Sequence, residues 1–296
     1  MTFATPITLT GPTRAPVQML AEQVYDDHLS VHDAETAGSL GLSGAPIEGP
    51  THFSQFDPIA VSLWGQRWFE SGCISAHFST MVVEGEEVEA TATTATPTSA
   101  AIEAVRTDGA KVLSGTISVA PHPETALEAR LAAMREPGDL FIVDQLHVGM
   151  TSGEPRETSM DLATINGDLY PFSLAQKLDG ITERSSWYDS TDNPWGRPIV
   201  PMEMLSVLAN KIGDRWPVRQ PSLGLFLDLE VRLEGTPVFV DATYLVEREI
   251  VGLSQSRRVE SYWTRSTLTD AETGVHAATV LLHSGVFKDS YPDYPS

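Results

Sequence analysis

The stretch from Tyr25 to Gly49 gathers side chains that can move protons: Tyr25, Asp26, Asp27, His28, His32, Asp33 and Glu48. Asp26 suits an acid or a base, and the imidazoles of His28 and His32, with a reference pKa near 6.5, exchange protons close to neutrality. Glu48 stands just before Gly49 and Pro50, where an apolar helical pattern begins, and a carboxylate is favoured there by the helix dipole. Backbone N–H groups around Gly49 to His52 are placed to hold a developing oxyanion. The chemistry these types permit is proton transfer beside a carbonyl. One group handles the alpha proton, an acid serves a departing hydroxyl, and donors meet the enolate-like oxygen.

Each residue also has a purely structural reading. Asp33 precedes Ala-Glu-Thr-Ala and suits a helix N-cap. Asp26 and His28 fit a solvated loop, and His32 fits a packing histidine. Glu48 stands evenly between the two. His28 and His32 are four apart, but the helix pattern starts only near Asp33, so the two imidazoles do not share a helical face and no metal site is expected. No phosphate-loop, dinucleotide-binding or nucleophile-elbow motif occurs, and no cofactor is expected.

These residues must be positioned by two similar halves. Ala45-Pro46-Ile47-Glu48-Gly49-Pro50 is echoed by Arg197-Pro198-Ile199-Val200-Pro201-Met202, an offset of 152 from Pro46 to Pro198. Each opens an apolar run at three-to-four spacing, Thr51 to Glu70 and Glu203 to Trp216, read as helices. Trp64, Trp68 and Phe69 belong to the packing face of the first. Gly72 and Gly213 fall near the ends as stop signals. Downstream, Val83-Glu84-Gly85 is echoed by Leu233-Glu234-Gly235, an offset of 150 from Gly85 to Gly235.

Four strand-like runs follow each helix: Ala76–Val83, Val88–Thr96, Ala101–Thr107 and Lys111–Val119, then Gly224–Leu233, Val238–Glu249, Arg257–Leu268 and Val275–Ser284. Asp108-Gly109 and Thr273-Gly274 mark hairpin turns. A helix followed by an antiparallel sheet, twice over, predicts an α+β double hotdog whose two sheets join in one continuous layer. The division is residues 1–120, a connector over 121–159 with helical character at Pro121 to Pro137, and residues 160–296. Before the second helix, Trp187 to Arg197 is an aromatic-rich loop that suits an opposing pocket wall. Arg197 is its candidate for a ligand carboxylate or phosphate, with surface pairing to a nearby aspartate as the alternative, and Glu203 is a candidate to face the cleft.

Composition excludes several classes. The 296 residues are 41% hydrophobic and 20% charged, as in folded globular chains. A net charge of −21 repels phosphate backbones and anionic membrane surfaces, so neither nucleic acid nor membrane is an expected partner. No apolar run approaches bilayer length. The single cysteine, Cys73, and an opening without a leader pattern suggest a reducing cytoplasm. Exposed sheet edges suggest a homodimer.

The segment Tyr25 to Gly49 resembles the MaoC-like hydratase and dehydratase family of hotdog proteins, whose pattern can be written G-D-x-N-P-L-H-x-D-P-x-x-A-x-x-A-G-F-x-x-P-I-L-H-G. Overlaid without a gap, Asp33, Ala37, Gly41 and Gly49 match and the family's catalytic aspartate falls on Asp26. Val31 stands where the family has its catalytic histidine, His28 where it has asparagine, and Glu48 where a histidine precedes the final glycine. The resemblance implies a hydro-lyase acting on an acyl group carried by coenzyme A or a carrier protein; the acidic composition and the missing histidine leave a free, non-thioester substrate as the alternative. Asp26, His28 and Glu48 are then the catalytic candidates, and Tyr25, His32, Gly49, His52 and Arg197 the substrate-binding ones. Hotdog folds also support thioester hydrolysis, with Glu48 as base or nucleophile, and non-catalytic ligand binding.

Overall fold

The computed structural model of the chain describes residues 6–24, 30–39, 41–212 and 216–295. One antiparallel sheet of ten strands forms the body of the protein. In the first repeat these are β1 (Thr8–Thr10), β2 (Gly72–Phe78), β3 (Val88–Thr96), β4 (Ser99–Arg106) and β5 (Lys111–Val119). In the second they are β6 (Arg156–Ser159), β7 (Gly224–Leu233), β8 (Thr243–Gln255), β9 (Val259–Asp270) and β10 (His276–Phe287). Their spatial order is β1-β3-β4-β5-β2-β7-β10-β9-β8-β6. The order β3-β4-β5-β2 is mirrored by β8-β9-β10-β7, and the halves join where β2 pairs with β7, for example at Ile74 and Val231. This is the α+β double hotdog expected from the repeat. β6, at the end of the connector, closes the second repeat's edge by pairing with β8.

The sequence echo has a structural counterpart. Pro46 bridges Val83 in the first repeat and Ile199 bridges Phe239 in the second. The neighbouring bonds repeat as well: Ile47 N–H donates to Val82 O at 2.7 Å, and Val200 N–H to Val238 O at 2.8 Å. Each repeat therefore pins the segment entering its helix to the segment leaving or entering its sheet.

The expected helix from Thr51 to Glu70 is three pieces. A 3-10 helix over Gly49–Phe56 runs into α2 (Asp57–Trp64), and after Gly65 comes α3 (Arg67–Ser71); the short α1 (Ala34–Ser39) precedes them all. Gly65, at φ 62°, breaks the run because the left-handed region ends a helix at little cost only for glycine. Strand β2 then starts at Gly72 rather than Ala76. A Cβ at Gly72 would stand 2.1 Å from the Trp68 carbonyl oxygen, so only glycine lets the chain pass straight from helix to strand. The second helix, α6 (Met204–Asn210), which follows α5 (Leu174–Gly180) in the chain, is also shorter than expected, and Trp216 lies outside it.

Phe53, Phe56, Ile59 and Trp68 share one core with Ile74 and Ala76 of β2 and with Leu229, Val231 and Leu233 of β7. Buried apolar area of this extent is the dominant stabilising term. On the other sheet face the connector supplies α4 (Ala126–Ala132), whose N-terminus is a capping box of Thr125 and Glu128. Leu127 of α4 packs with Trp263 and Leu281. Further along, buried Glu260 accepts N–H bonds from Phe141, Ile142 and Val143 at 2.8–3.1 Å and the Tyr294 hydroxyl at 2.8 Å. Among the described residues no helix is long and apolar enough to cross a membrane.

Candidate active site

A cavity of about 270 Å³ runs between the repeats. His32, Glu48, Gly49, His52 and Phe78 line it from the first half, and Trp216, Arg248, Tyr262, Thr264 and Leu282 from the second. Its size suits a small molecule or the reacting end of a larger one.

His32 is held on the approach to the first helix. Its backbone N–H donates to Ser30 Oγ at 3.2 Å, and Ser30 donates to Gln23 at 2.8 Å. Its ring Nδ1 lies 2.8 Å from Pro46 O. A carbonyl only accepts, so Nδ1 carries the proton and Nε2 keeps its lone pair. Burial lowers the pKa of His32, against the opposing pull of the Pro46 bond, so the ring is neutral at pH 7. Asp33, one residue on, accepts the N–H of Thr36 at 2.8 Å at the start of α1, which is the capping arrangement its sequence suggested.

Glu48 occupies the N-cap position of the 3-10 helix, where its side chain makes no capping hydrogen bond, and is 7% exposed. Desolvation raises its pKa, partly offset by the Lys177 charge, and Oε1 has no hydrogen-bond partner among the described residues. A carboxyl so placed favours its neutral, proton-bearing form. His52, on the same wall, is pushed down to about 4, by burial first of all, and its Nδ1 is likewise unpartnered. Gly49 permits the close approach here: a Cβ would stand 3.0 Å from the Phe78 ring.

Behind this wall lies a buried charge cluster. Lys177 Nζ donates to Thr51 Oγ1 at 2.9 Å and lies 3.9 Å from Glu203 Oε1. Glu203 occupies the N-cap of α6, as Glu48 does for the first helix, and desolvation pushes it up to about 8 against the Lys177 charge. Asp57 accepts from Trp68 Nε1 and Tyr188 OH, each at 2.8 Å, yet burial still raises it to about 7. Glu203 thus belongs to the interior and not, as expected, to the cleft wall.

The structure distributes the sequence candidates unevenly. Glu48, Gly49, His32 and His52 share the cavity. Tyr25, Asp26 and His28 lie outside the described residues, while Gln23 and Ser30, on either side of that segment, both line the cavity. Arg197 is corrected: it is exposed, stacks over Phe239 at 4.5 Å, and is not part of the cavity wall. Its loop is anchored elsewhere, with Trp187 edge-on to Trp195 at 5.4 Å and to Phe69 at 5.8 Å, and Trp195 Nε1 donating to Glu70 at 3.2 Å. The aromatic loop therefore braces the first repeat and is not the opposing pocket wall.

Val31 also lines the cavity, but the ionisable group there is its neighbour. In the pattern quoted above, histidine follows aspartate by five positions. Asp27 and His32 have that spacing, and a single gap before Asp33 restores the rest of the overlay. An ungapped overlay hid it. Arg248 was missed as well, although its signal is legible: Tyr244, Val246 and Ile250 mark the buried phase of β8, and Arg248 falls in that phase.

The architecture and cavity define a protein of double-hotdog fold. It is similar to a solved structure from Chloroflexus aurantiacus described as a MaoC domain protein dehydratase, at 15% identity, with 96% of this chain and 95% of that one covered and a TM-score of 0.57. It is similar also to a conserved hypothetical protein of Mycobacterium tuberculosis described as having a double hotdog fold, at 12% identity, 96% and 97% coverage and a TM-score of 0.57. No family model and no curated protein matches the sequence.

Proposed function

We propose that the protein is a hydro-lyase that adds or removes water across a carbon–carbon double bond conjugated to a carbonyl, with His32 as its general base. The observation that carries this reading is the His32–Pro46 bond: it fixes the tautomer so that a neutral imidazole with a free Nε2 lone pair belongs to a cavity shared with a buried carboxyl. In the hydration direction Nε2 takes a proton from water, the water oxygen bonds to the beta carbon, and the electron pair moves to the carbonyl oxygen as an enolate. Glu48, in its protonated form, gives the alpha carbon its proton. The resulting imidazolium and carboxylate return to the starting state by net proton transfer from His32 to Glu48. Dehydration is the same path reversed. Backbone N–H at Gly49 serves the enolate oxygen.

Asp26 and Asp27 are the candidates to assist His32, the second by its five-residue spacing. His28 and Tyr25 remain candidates for the same wall. By resemblance the substrate is an acyl thioester of coenzyme A or a carrier protein; the acidic composition of the chain keeps a related free acid as the alternative.

The test is mass-spectrometric turnover of enoyl- and 3-hydroxyacyl-thioesters and their free-acid analogues, comparing wild type with His32→Gln, Asp26→Asn and Asp27→Asn. A change of one water mass that is lost in His32→Gln at unchanged melting temperature supports the assignment. Water addition that survives the substitution removes His32 from the chemistry. Release of free acid from thioesters replaces hydration by hydrolysis, and no turnover across the panel favours a binding role.

A further inference from the structure

Lys177 is a buried cation that is not locked to a carboxylate. It stands on α5, only 3% exposed, and neutral groups hold its ammonium: Nζ donates to Thr51 Oγ1 at 2.9 Å and lies 5.6 Å from the centre of the Phe172 ring. Glu203 Oε1 is 3.9 Å away, and neither Glu203 oxygen has a hydrogen-bond partner among the described residues. On the cavity side the same is true of Glu48 Oε1. Thr51 links the two sides. Its backbone N–H donates to the Glu48 carbonyl oxygen at 3.1 Å, so the hydroxyl that anchors the ammonium belongs to the turn that Glu48 opens. Two further titratable groups share the cluster: His52, on which the Lys177 charge also acts, and Asp57, which acts on Glu203 and is bonded to Tyr188.

A buried ammonium and a buried carboxylate each carry a desolvation cost that the other offsets. A buried carboxyl with no cation near it keeps its proton, and is too weak an acid to give that proton away. Around Lys177 one positive charge faces two carboxyls, and with Glu203 pushed up to about 8 that charge is not neutralised by Glu203 at pH 7. We infer that Lys177 is a positioning residue for Glu48: its ammonium stabilises the carboxylate that Glu48 becomes when its proton passes to the alpha carbon. The opposing effects of burial and of the Lys177 charge on Glu48 fit this division of labour, since burial keeps the proton on the resting enzyme and the cation lets it leave. Lys177 keeps its own proton throughout, and Glu48 recovers its proton by the transfer from His32 already described. The inference rests on the reading of Glu48 as the acid, but the ionisation of Glu48 is measured without turnover, so the two can fail separately.

The experiment is an infrared pH titration of the Glu48 carboxyl band, assigned by its loss in Glu48→Gln, in wild type, Lys177→Met and Lys177→Arg. The kcat and KM for thioester hydration are measured on the same proteins. The Glu48 midpoint is expected to rise by about one pH unit or more in Lys177→Met and to stay closer to wild type in Lys177→Arg, which keeps the charge. Over the same series kcat should fall about tenfold or more in Lys177→Met with KM little changed, and recover in part in Lys177→Arg. If Lys177→Met does not fold, Thr51→Val, which removes the hydroxyl that anchors the ammonium, should raise the midpoint in the same direction. A midpoint that stays at the wild-type value in these variants overturns the inference, as does a raised midpoint with kcat unchanged. A raised midpoint in a protein that turns over no thioester or free acid keeps the hold of Lys177 on Glu48 and removes the hydro-lyase reading.

Discussion

Asp228 bridges the junction of the two repeats: its Oδ1 accepts from His77 Nδ1 at 2.8 Å and its Oδ2 from His283 Nδ1 at 2.6 Å. The three residues lie side by side on β2, β7 and β10, with Arg130 of α4 3.4 Å from the carboxylate and Trp263 stacked on His283 at 4.1 Å. The hydrogen bonds of both histidines, His283 first, outweigh desolvation and hold Asp228 at about 2. A carboxylate with a depressed folded pKa stabilises fully above its unfolded value, 3.8, and that contribution is lost as pH falls through about 2. Asp228→Asn is expected to lower stability at pH 7 by about 1–3 kcal/mol and to flatten the acid limb of the unfolding curve between those values. Chemical denaturation of wild type and variant across pH 2 to 7 measures both.

The His32 assignment makes a separate kinetic prediction. Loss of a general base costs about 10²- to 10⁴-fold in rate, so His32→Gln should fall by that much in kcat with little change in melting temperature, since the lost bond to Pro46 is within reach of the glutamine amide. Because burial lowers the His32 pKa, the neutral base persists below pH 6.5, and the acid limb of kcat/KM should lie on the acid side of that value. A limb at or above 6.5 would assign it to another group.

Glu203 behaves in the opposite sense to Asp228. Its folded pKa, about 8, is raised above the ordinary 4.5, so its favourable contribution is complete below 4.5 and is lost progressively as pH rises to about 8. Glu203→Gln should remove this slope and narrow the gap to wild type at acid pH. Lys177→Met, by contrast, takes away a cation that lowers both Glu203 and Glu48, so their folded pKa values should rise further and the loss of stability should extend to higher pH. Melting temperatures from pH 4 to 9 for both variants separate these effects.

The repeat was legible because it is written in turn words: Gly109 and Gly274 adopt φ 88° and 70° in their hairpins, and β3, β5 and β7 begin and end where alternation begins and ends. Continuity was misread where tertiary geometry interrupts an unbroken apolar pattern, at Gly65 in the first helix. It was misread again before β8, where Val238 serves the bridge to the second helix's entry and Asp241 turns the chain at φ 63°. The site was half legible. His32 and Glu48 announce themselves by type, but Arg248 and Trp216 come from the other repeat and meet them only through the sheet. Nothing local to Asp228, Glu230 and Arg232 says that α4 packs over their strand.

The connector that carries α4 is fastened further along by Glu260. Its carboxylate, fully buried, takes the N–H groups of three consecutive residues, Phe141 to Val143, and so fastens the connector to β9. Ile142 and Val143 pack with Ile250 and Val286 and with Trp216, whose ring lies under the Arg248 guanidinium at 5.2 Å. An amide in place of the carboxylate keeps one acceptor oxygen and brings two N–H donors to face backbone donors. Glu260→Gln should therefore cost about 2 kcal/mol or more, as hydrogen bonds to a charged group are worth about 1.5–3 each. The amides of 141–143 should exchange with deuterium at least tenfold faster, while those at the centres of β2 and β7 change only with global stability. Protection of 141–143 unchanged from wild type would show that the connector is held by its apolar contacts instead.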